Sequence, residues 1–202
     1  MRPFSKEFDR MSDERLMELV VRGEERAFAA LYDRYHHRLL NYFHRMLWQD
    51  RELARDHMQD LFTKLAQRPA SYDPSRPFQT WLFSVANNMC KNAYRHEEVV
   101  RVAAVEMRAA PDRVEAQNGV EVDRELFRDR LDAELDRLDP DHKATFVMRF
   151  HEELAIKEIA AAFGCSEGTV KSRIFYTLKK LAERLKEFDP NALNDHGKAR
   201  TI

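Results

Sequence analysis

The sequence predicts an all-α protein: two small helical domains joined by a flexible acidic linker. Three observations carry that prediction. Apolar residues recur at the three-and-four spacing of helix faces through most of the chain. Glycine is scarce, five in 202 residues, while charged residues make up 34%, a composition suited to helices in water. Charge is also segregated, with a net −5 over residues 98–140 against +2 over each of 1–97 and 141–188. An acidic middle between two mildly basic blocks divides the chain into domains at 10–97 and 123–188, a linker at 98–122 and a tail at 189–202.

The elements follow in order. Ser12 before Asp13-Glu14-Arg15 resembles a helix start and Gly23 its stop. A longer helix is expected from Glu25 to Trp48, because Phe28, Leu31, Tyr35, Leu39, Tyr42, Phe43, Met46 and Leu47 form one apolar face. Glu52 to Gln67 forms the next, with Leu53, Met58, Leu61, Phe62 and Leu65 inward, and Pro69 ends it. The turn-rich SYDPSRP at 71–77 connects to a stripe of Phe78, Trp81, Leu82, Val85 and Met89. The other side of that helix carries Ser84, Asn88, Lys91 and Arg95, a polar ridge. Asn87 and Asn88 compete for nearby backbone groups, so a break or tight loop is expected there.

Periodicity fades from Glu98 to Val122, with a proline and a glycine in AAPDRVEAQNG at 109–119, as a linker requires. Helix resumes at Asp123 with Leu126, Phe127, Leu131, Leu135 and Leu138, and Pro140-Asp141 opens the next. IKEIAAAFG and CSEGTVKSRIFYTLKKL then give two more helices, the last expected to end at Pro190.

Several function classes are excluded on chemical grounds. No run approaches the roughly 18 apolar residues of a membrane helix, and the N-terminus is interrupted by acids where a secretory signal would be apolar. Direct membrane insertion is therefore not expected, and the cytoplasm is the expected compartment. Cys90 and Cys165 lack CxxC spacing and read as reduced structural residues. HEELA at 151–155 lacks the second histidine of a HExxH zinc site, and there is no glycine-rich phosphate loop. Neither a metal nor another cofactor is expected, and the chain does not read as an enzyme.

One pair of helices carries a binding signature. Gly164 stops the first, Ser166 caps the second, and Gly168-Thr169 fall in its first turn. Residues 169–186 hold six basic side chains against Glu183 alone. Two short helices around a tight turn, the second basic on its outer side, suit a helix-turn-helix that lays one helix in the major groove. Phe175 and Tyr176 lie on or beside the polar face of that helix, where core packing gives no reason for them. An exposed ring can contact a thymine methyl and a phenol can donate to phosphate.

Three segments together resemble one family. ELARDHMQDLFTKLAQ at 52–67, FQTWLFSVANNMCKNAYR at 78–95 and LAIKEIAAAFGCSEGTVKSRIFYTLKKL at 154–181, in this order and separation, are similar to group 4, or extracytoplasmic-function (ECF), sigma factors of bacterial RNA polymerase. The resemblance runs from about Arg10 to Lys186. It implies a sigma region 2 helical bundle, a sigma region 4 helix-turn-helix domain, and promoter-specific transcription initiation.

The resemblance also implies sites. The helix at 52–67 would dock on the clamp helices of the polymerase β′ subunit through Arg55, Asp56, Gln59 and Asp60, and the second domain would meet the β flap. Asn88 matches a loop position that holds a flipped-out base of the minus-10 element, with Asn87, Lys91, Asn92 and Arg95 around it. Lys171, Ser172, Arg173, Phe175 and Tyr176 match the face that reads the minus-35 duplex, with Thr169 near the helix N-terminus, Lys179 further along and Arg149 on an earlier helix as phosphate contacts. An anti-sigma factor is implied as a partner. Tyr176 replaces an arginine of well-studied relatives, Ala155 stands where a capping serine is common, and Glu153 stands where glycine is common.

Two other classes are weighed against this one. A helix-turn-helix activator that is not a polymerase subunit needs a receiver or ligand pocket in the first 100 residues, and the alternating strand–helix pattern of a receiver is absent. A helical protein-binding adaptor accounts for the periodicity but gives no reason for the basic face at 169–186.

Overall fold

A computed structural model describes residues 7–103 and 120–188 of the 202-residue chain. The described residues hold eight α-helices, with short 3-10 turns before the first, between the third and fourth, and after the last. The first four are α1 (Asp13–Val21), α2 (Glu25–Met46), α3 (Arg51–Gln67) and α4 (Phe78–Ala103). The second four are α5 (Val120–Asp136), α6 (Pro140–Phe150), α7 (Ile156–Phe163) and α8 (Glu167–Arg184). The all-α expectation holds.

Local chemistry fixes most boundaries. Ser12 accepts from the Arg15 N–H at 3.2 Å to cap α1, and Asp50 Oδ1 accepts from Glu52 and Leu53 N–H to cap α3. Asp139 caps α6, with Pro140 at its first position. In the connector before α4, Asp73 accepts from the Ser75 N–H at 3.0 Å, an Asx turn. The Glu14 carboxylate accepts from the Phe78 N–H at 3.1 Å, so α1 satisfies the first turn of α4.

Several boundaries and one break differ from the sequence reading. Helix α2 ends at Met46 rather than Trp48, because Trp48 and Gln49 take left-handed φ values of 52° and 59° in the turn to α3. Helix α8 ends at Arg184, short of Pro190, where Leu185 and a 3-10 turn at Lys186–Phe188 fold onto a small apolar cluster. The expected break at Asn87-Asn88 is absent, and α4 runs unbroken from Phe78 to Ala103. The reason is tertiary: Asn87 is buried and its Oδ1 accepts from Tyr42 Oη–H at 3.3 Å, so it does not compete for its own backbone. Helix α4 thus enters the stretch read as linker, and α5 begins at Val120; residues 104–119 and the tail at 189–202 lie outside the described residues.

The core is organised unexpectedly. The large apolar cluster of α1–α4 includes Leu16, Tyr35, Phe43, Leu61, Phe83 and Cys90. It continues without interruption into Val147, Met148, Leu154, Ile159 and Val170 of the C-terminal half. A second, smaller cluster joins Leu135, Phe146, Leu181 and Leu185 of α5, α6 and α8. Helix α7 packs on α4 and helix α6 on α2, so the two halves share a face.

The turn between α7 and α8 relies on Gly164, whose φ of 63° and ψ of 35° are left-handed. A Cβ there would meet no atom within 4 Å, so the cost of a side chain is conformational alone. Gly164→Ala is expected to lower stability by about 1 kcal/mol, measured by urea denaturation; no loss would mean the turn relaxes. Helix α7 keeps half of a capping box: Ala155 has no acceptor, but the Glu158 carboxylate accepts from the Ala155 N–H at 2.7 Å. Glu153 takes a left-handed φ of 56°.

Candidate nucleic-acid and protein interfaces

Helix α8 turns Val170, Thr177 and Leu181 inward. Thr169, Lys171, Ser172, Phe175, Tyr176 and Lys179 are all exposed. Phe175 and Tyr176 are 63% and 61% exposed. Their rings meet edge to face at 5.4 Å, which pre-orients the pair without burying it. Neither ring is buried against a neighbouring helix.

Arg173 does not share this surface. Its guanidinium donates to Asp141 Oδ2 at 2.7 Å and lies 5.3 Å from the centre of the Phe163 ring. Arg149, on α6, donates to the Leu154 carbonyl at 3.2 Å. Helix α6 is also tied to α8 through His142 Nδ1 and Thr177 Oγ1, 3.1 Å apart.

On α4, Asn88, Asn92 and Arg95 are exposed, with Arg95 donating to Asn92 Oδ1 at 3.1 Å. Asn87 is separated from them by burial, at 3% exposure. Lys91 points to the other half of the molecule: its Nζ lies 2.8 Å from Asp141 Oδ1 and 5.5 Å from the Phe163 ring centre. Two cations from opposite halves thus converge on one carboxylate. Burial raises the Asp141 carboxyl, but Lys91 and Arg173 outweigh it and hold it below the usual range.

On α3, Arg55, Asp56, Gln59 and Asp60 are exposed together, while Ala54, Met58, Leu61, Phe62 and Leu65 face the core. Among the described residues none of these four polar groups has a side-chain hydrogen-bond or ion-pair partner. Asp60 borders a groove between α3 and α4 lined by Trp48, Leu53, Met89 and Ala93. Trp48 stands edge-on to Tyr94 at 5.1 Å, and Tyr94 donates to the Met46 carbonyl.

Residues 31–99 match the family described as Sigma-70 region 2, and residues 135–183 match Sigma-70, region 4. The chain is 31% identical over 179 residues to the RNA polymerase sigma factor CarQ of Myxococcus xanthus, covering 86% of this chain and 97% of that one. It is 32% identical over 172 residues to the ECF RNA polymerase sigma factor SigL of Mycobacterium tuberculosis, covering 82% and 92%.

The chain belongs to the ECF sigma factors of the sigma-70 family.

This sigma factor has the fold of CnrH, solved in complex with the cytosolic domain of CnrY: the TM-score is 0.65 at 26% identity, over 87% of this chain and 97% of that one. The sigma factor RpoE, co-crystallised with the anti-sigma factor NepR from Bartonella quintana, shares the fold at TM-score 0.64 and 20% identity, over 79% and 96%. In this sigma factor the region 2 match spans α2 to α4 and the region 4 match spans the end of α5 to α8. As a sigma factor it works with core RNA polymerase in promoter recognition. No helix among the described residues is long and apolar enough to cross a membrane.

Sequence reasoning missed the carboxylate on which Lys91 and Arg173 converge. Asp141 reads as a helix-start acid after Pro140, and nothing in its neighbourhood along the chain signals a cation 50 residues away. Trp48 and Tyr94 were equally unmarked as partners, since the contact depends on the left-handed turn after α2.

Proposed function

We propose that this sigma factor divides promoter recognition between its halves. The exposed face of α3, with Arg55, Asp56, Gln59 and Asp60, docks on the polymerase β′ clamp helices, and the C-terminal half, from 123 to 188, meets the β flap. The outer side of α4, with Asn88, Asn92 and Arg95, and Lys91 once freed, holds the minus-10 element as single strand, using amides for a base edge and cations for the backbone. Helix α8 enters the major groove of the minus-35 element. There Ser172, Phe175 and Tyr176 face bases, while Thr169, Lys171 and Lys179, and Arg173 once freed from Asp141, face phosphates. Arg149 adds a phosphate contact once released from the Leu154 carbonyl. The protein acts in the cytoplasm as a non-catalytic subunit, and an anti-sigma factor that covers these surfaces restrains it, as the NepR complex of RpoE suggests by analogy.

The outward Phe175–Tyr176 pair carries this reading. Two large rings at more than 60% exposure on a cationic helix have no role in the fold, and a duplex supplies the apolar methyls and acceptors that suit them. Since Tyr176 replaces a fork of guanidinium donors, no bidentate guanine contact is expected at its position.

Transcription by core polymerase supplemented with this chain on a genomic library tests the reading, with sigma-dependent start sites expected; their absence would defeat it. On a mapped promoter, Phe175→Ala is expected to reduce discrimination at one minus-35 position by about 1–3 kcal/mol. Lys179→Ala is expected to weaken binding evenly across sequences and lower the salt slope by about 1. Equal losses on all sequences for both variants would contradict the division of roles.

A further inference from the structure

The arrangement that the structure describes does not fit a promoter. Elements centred 10 and 35 base pairs upstream of a start site lie roughly 85 Å apart at about 3.4 Å per base pair. A packed unit of this size is only about 40 Å across. With α7 against α4 and α6 against α2, the two proposed DNA-reading helices cannot reach both elements at once. The halves must separate for function, so the contacts that join them oppose it.

Of the polar contacts between the halves, one gathers two cations on a single carboxylate. Asp141, at the start of α6, binds Lys91 Nζ of α4 through Oδ1 at 2.8 Å and the Arg173 guanidinium of α8 through Oδ2 at 2.7 Å. The Phe163 ring of α7 lies between the same cations, 5.5 Å from Lys91 Nζ and 5.3 Å from Arg173 Cζ. Lys91 and Arg173 keep 33% and 20% of their side chains exposed, and Asp141 keeps 28%. The site is thus half-shielded and open to competition by an anion. An anionic group held by a lysine and an arginine fork is also how a protein holds a phosphate. A second tie, Arg38 Nε to the buried Glu152 carboxylate at 3.1 Å, joins α2 to the turn before α7.

We propose that Asp141 is an autoinhibitory latch. In the free sigma factor it stands in for DNA phosphate and takes one cation from each of the two proposed reading surfaces. Separation of the halves on core polymerase returns Lys91 and Arg173 to DNA. The latch rests on the promoter-reading assignment above for its consequence, while its structural content is independent of it. Affinity of a protein whose competent state is a minor population falls in proportion to that population. Removing the latch therefore strengthens DNA binding by the free protein and leaves the holoenzyme, already open, unaffected.

The test uses the full chain with Asp141→Asn, which keeps shape and removes charge; Asp139 remains to cap α6. The probe is a duplex fragment of a promoter mapped in the transcription assay. Free Asp141→Asn protein is expected to bind it about 5- to 10-fold more tightly than the unaltered chain, with holoenzyme affinity unchanged. Amide hydrogen exchange in α7 is expected to speed up in Asp141→Asn, and to a similar degree in Lys91→Met, which cannot form the pair. Unchanged free-protein affinity together with unchanged exchange in α7 would overturn the latch. If holoenzyme from the unaltered chain binds no promoter fragment, the promoter reading falls instead, and exchange in α7 still decides whether Asp141 holds the halves together.

Discussion

Asp60→Arg is expected to reduce sigma-dependent transcription by about 30- to 150-fold at limiting core polymerase, the loss of a hot-spot contact of about 2–3 kcal/mol. The argument starts from what α3 does with its residues. Its inner side is committed to the core through Met58, Leu61, Phe62 and Leu65. Asp60 has no hydrogen-bond or ion-pair partner among the described residues, so the substitution leaves no internal acceptor or donor stranded. It should leave folding intact and act on binding alone. The acidic group sits beside the apolar groove formed by Trp48, Leu53 and Met89, the mixture of apolar centre and polar rim that protein partners use. Affinity for core polymerase and the far-ultraviolet circular dichroism spectrum should be measured together. Loss of affinity with an unchanged spectrum supports docking through α3; full affinity would remove Asp60 from the interface.

Phe83→Ala is expected to cost about 3–5 kcal/mol of stability, a fall in melting temperature of roughly 10 °C for a chain of this size. Phe83 is fully buried. Its ring meets Tyr42 edge to face at 5.4 Å, and the Arg38 guanidinium lies 5.3 Å from its centre. Arg38 is the same side chain that reaches Glu152. Removing the ring therefore opens a cavity at the centre of the larger core and withdraws the surface against which the second interdomain tie is laid. Thermal unfolding followed by circular dichroism reads the loss. A change below about 1 kcal/mol would mean that α4 collapses onto the vacated space without penalty.

The two substitutions mark how legible the molecule was. Arg55, Asp56, Gln59 and Asp60 lie off the Leu61/Leu65 stripe of one amphipathic helix, and the structure leaves them on the surface. Phe83 did not appear on the apolar stripe of Phe78, Trp81, Leu82, Val85 and Met89. The helix that carries it is covered on two sides, by the α1–α3 bundle and by α7. One stripe at 3.6 residues per turn describes one burial face only. With a second face, Asn87 and Cys90 also become interior, and a dipeptide whose propensity argues for a break stays helical because Tyr42 satisfies its amide.

The C-terminal half divides the same way. Gly164, Ser166 and the basic run are local signals, and each sits where the sequence places it: a left-handed helix stop, a cap on Thr169, an exposed cationic face. Arg173 and Lys91 belong by spacing with the DNA-facing residues and are held elsewhere, by a carboxylate on a third helix.

What the sequence determined by itself was the helices, their caps and turns, the exposed rings of α8 and the family. These depend on residues within one or two turns of each other, where periodicity and capping chemistry act. What only the tertiary structure decided was the shared core of the two halves and the meeting of Lys91, Asp141 and Arg173. Coulomb attraction depends on separation in space, and residues 50 and 32 positions from Asp141 become its neighbours only after α4, α6 and α8 have packed.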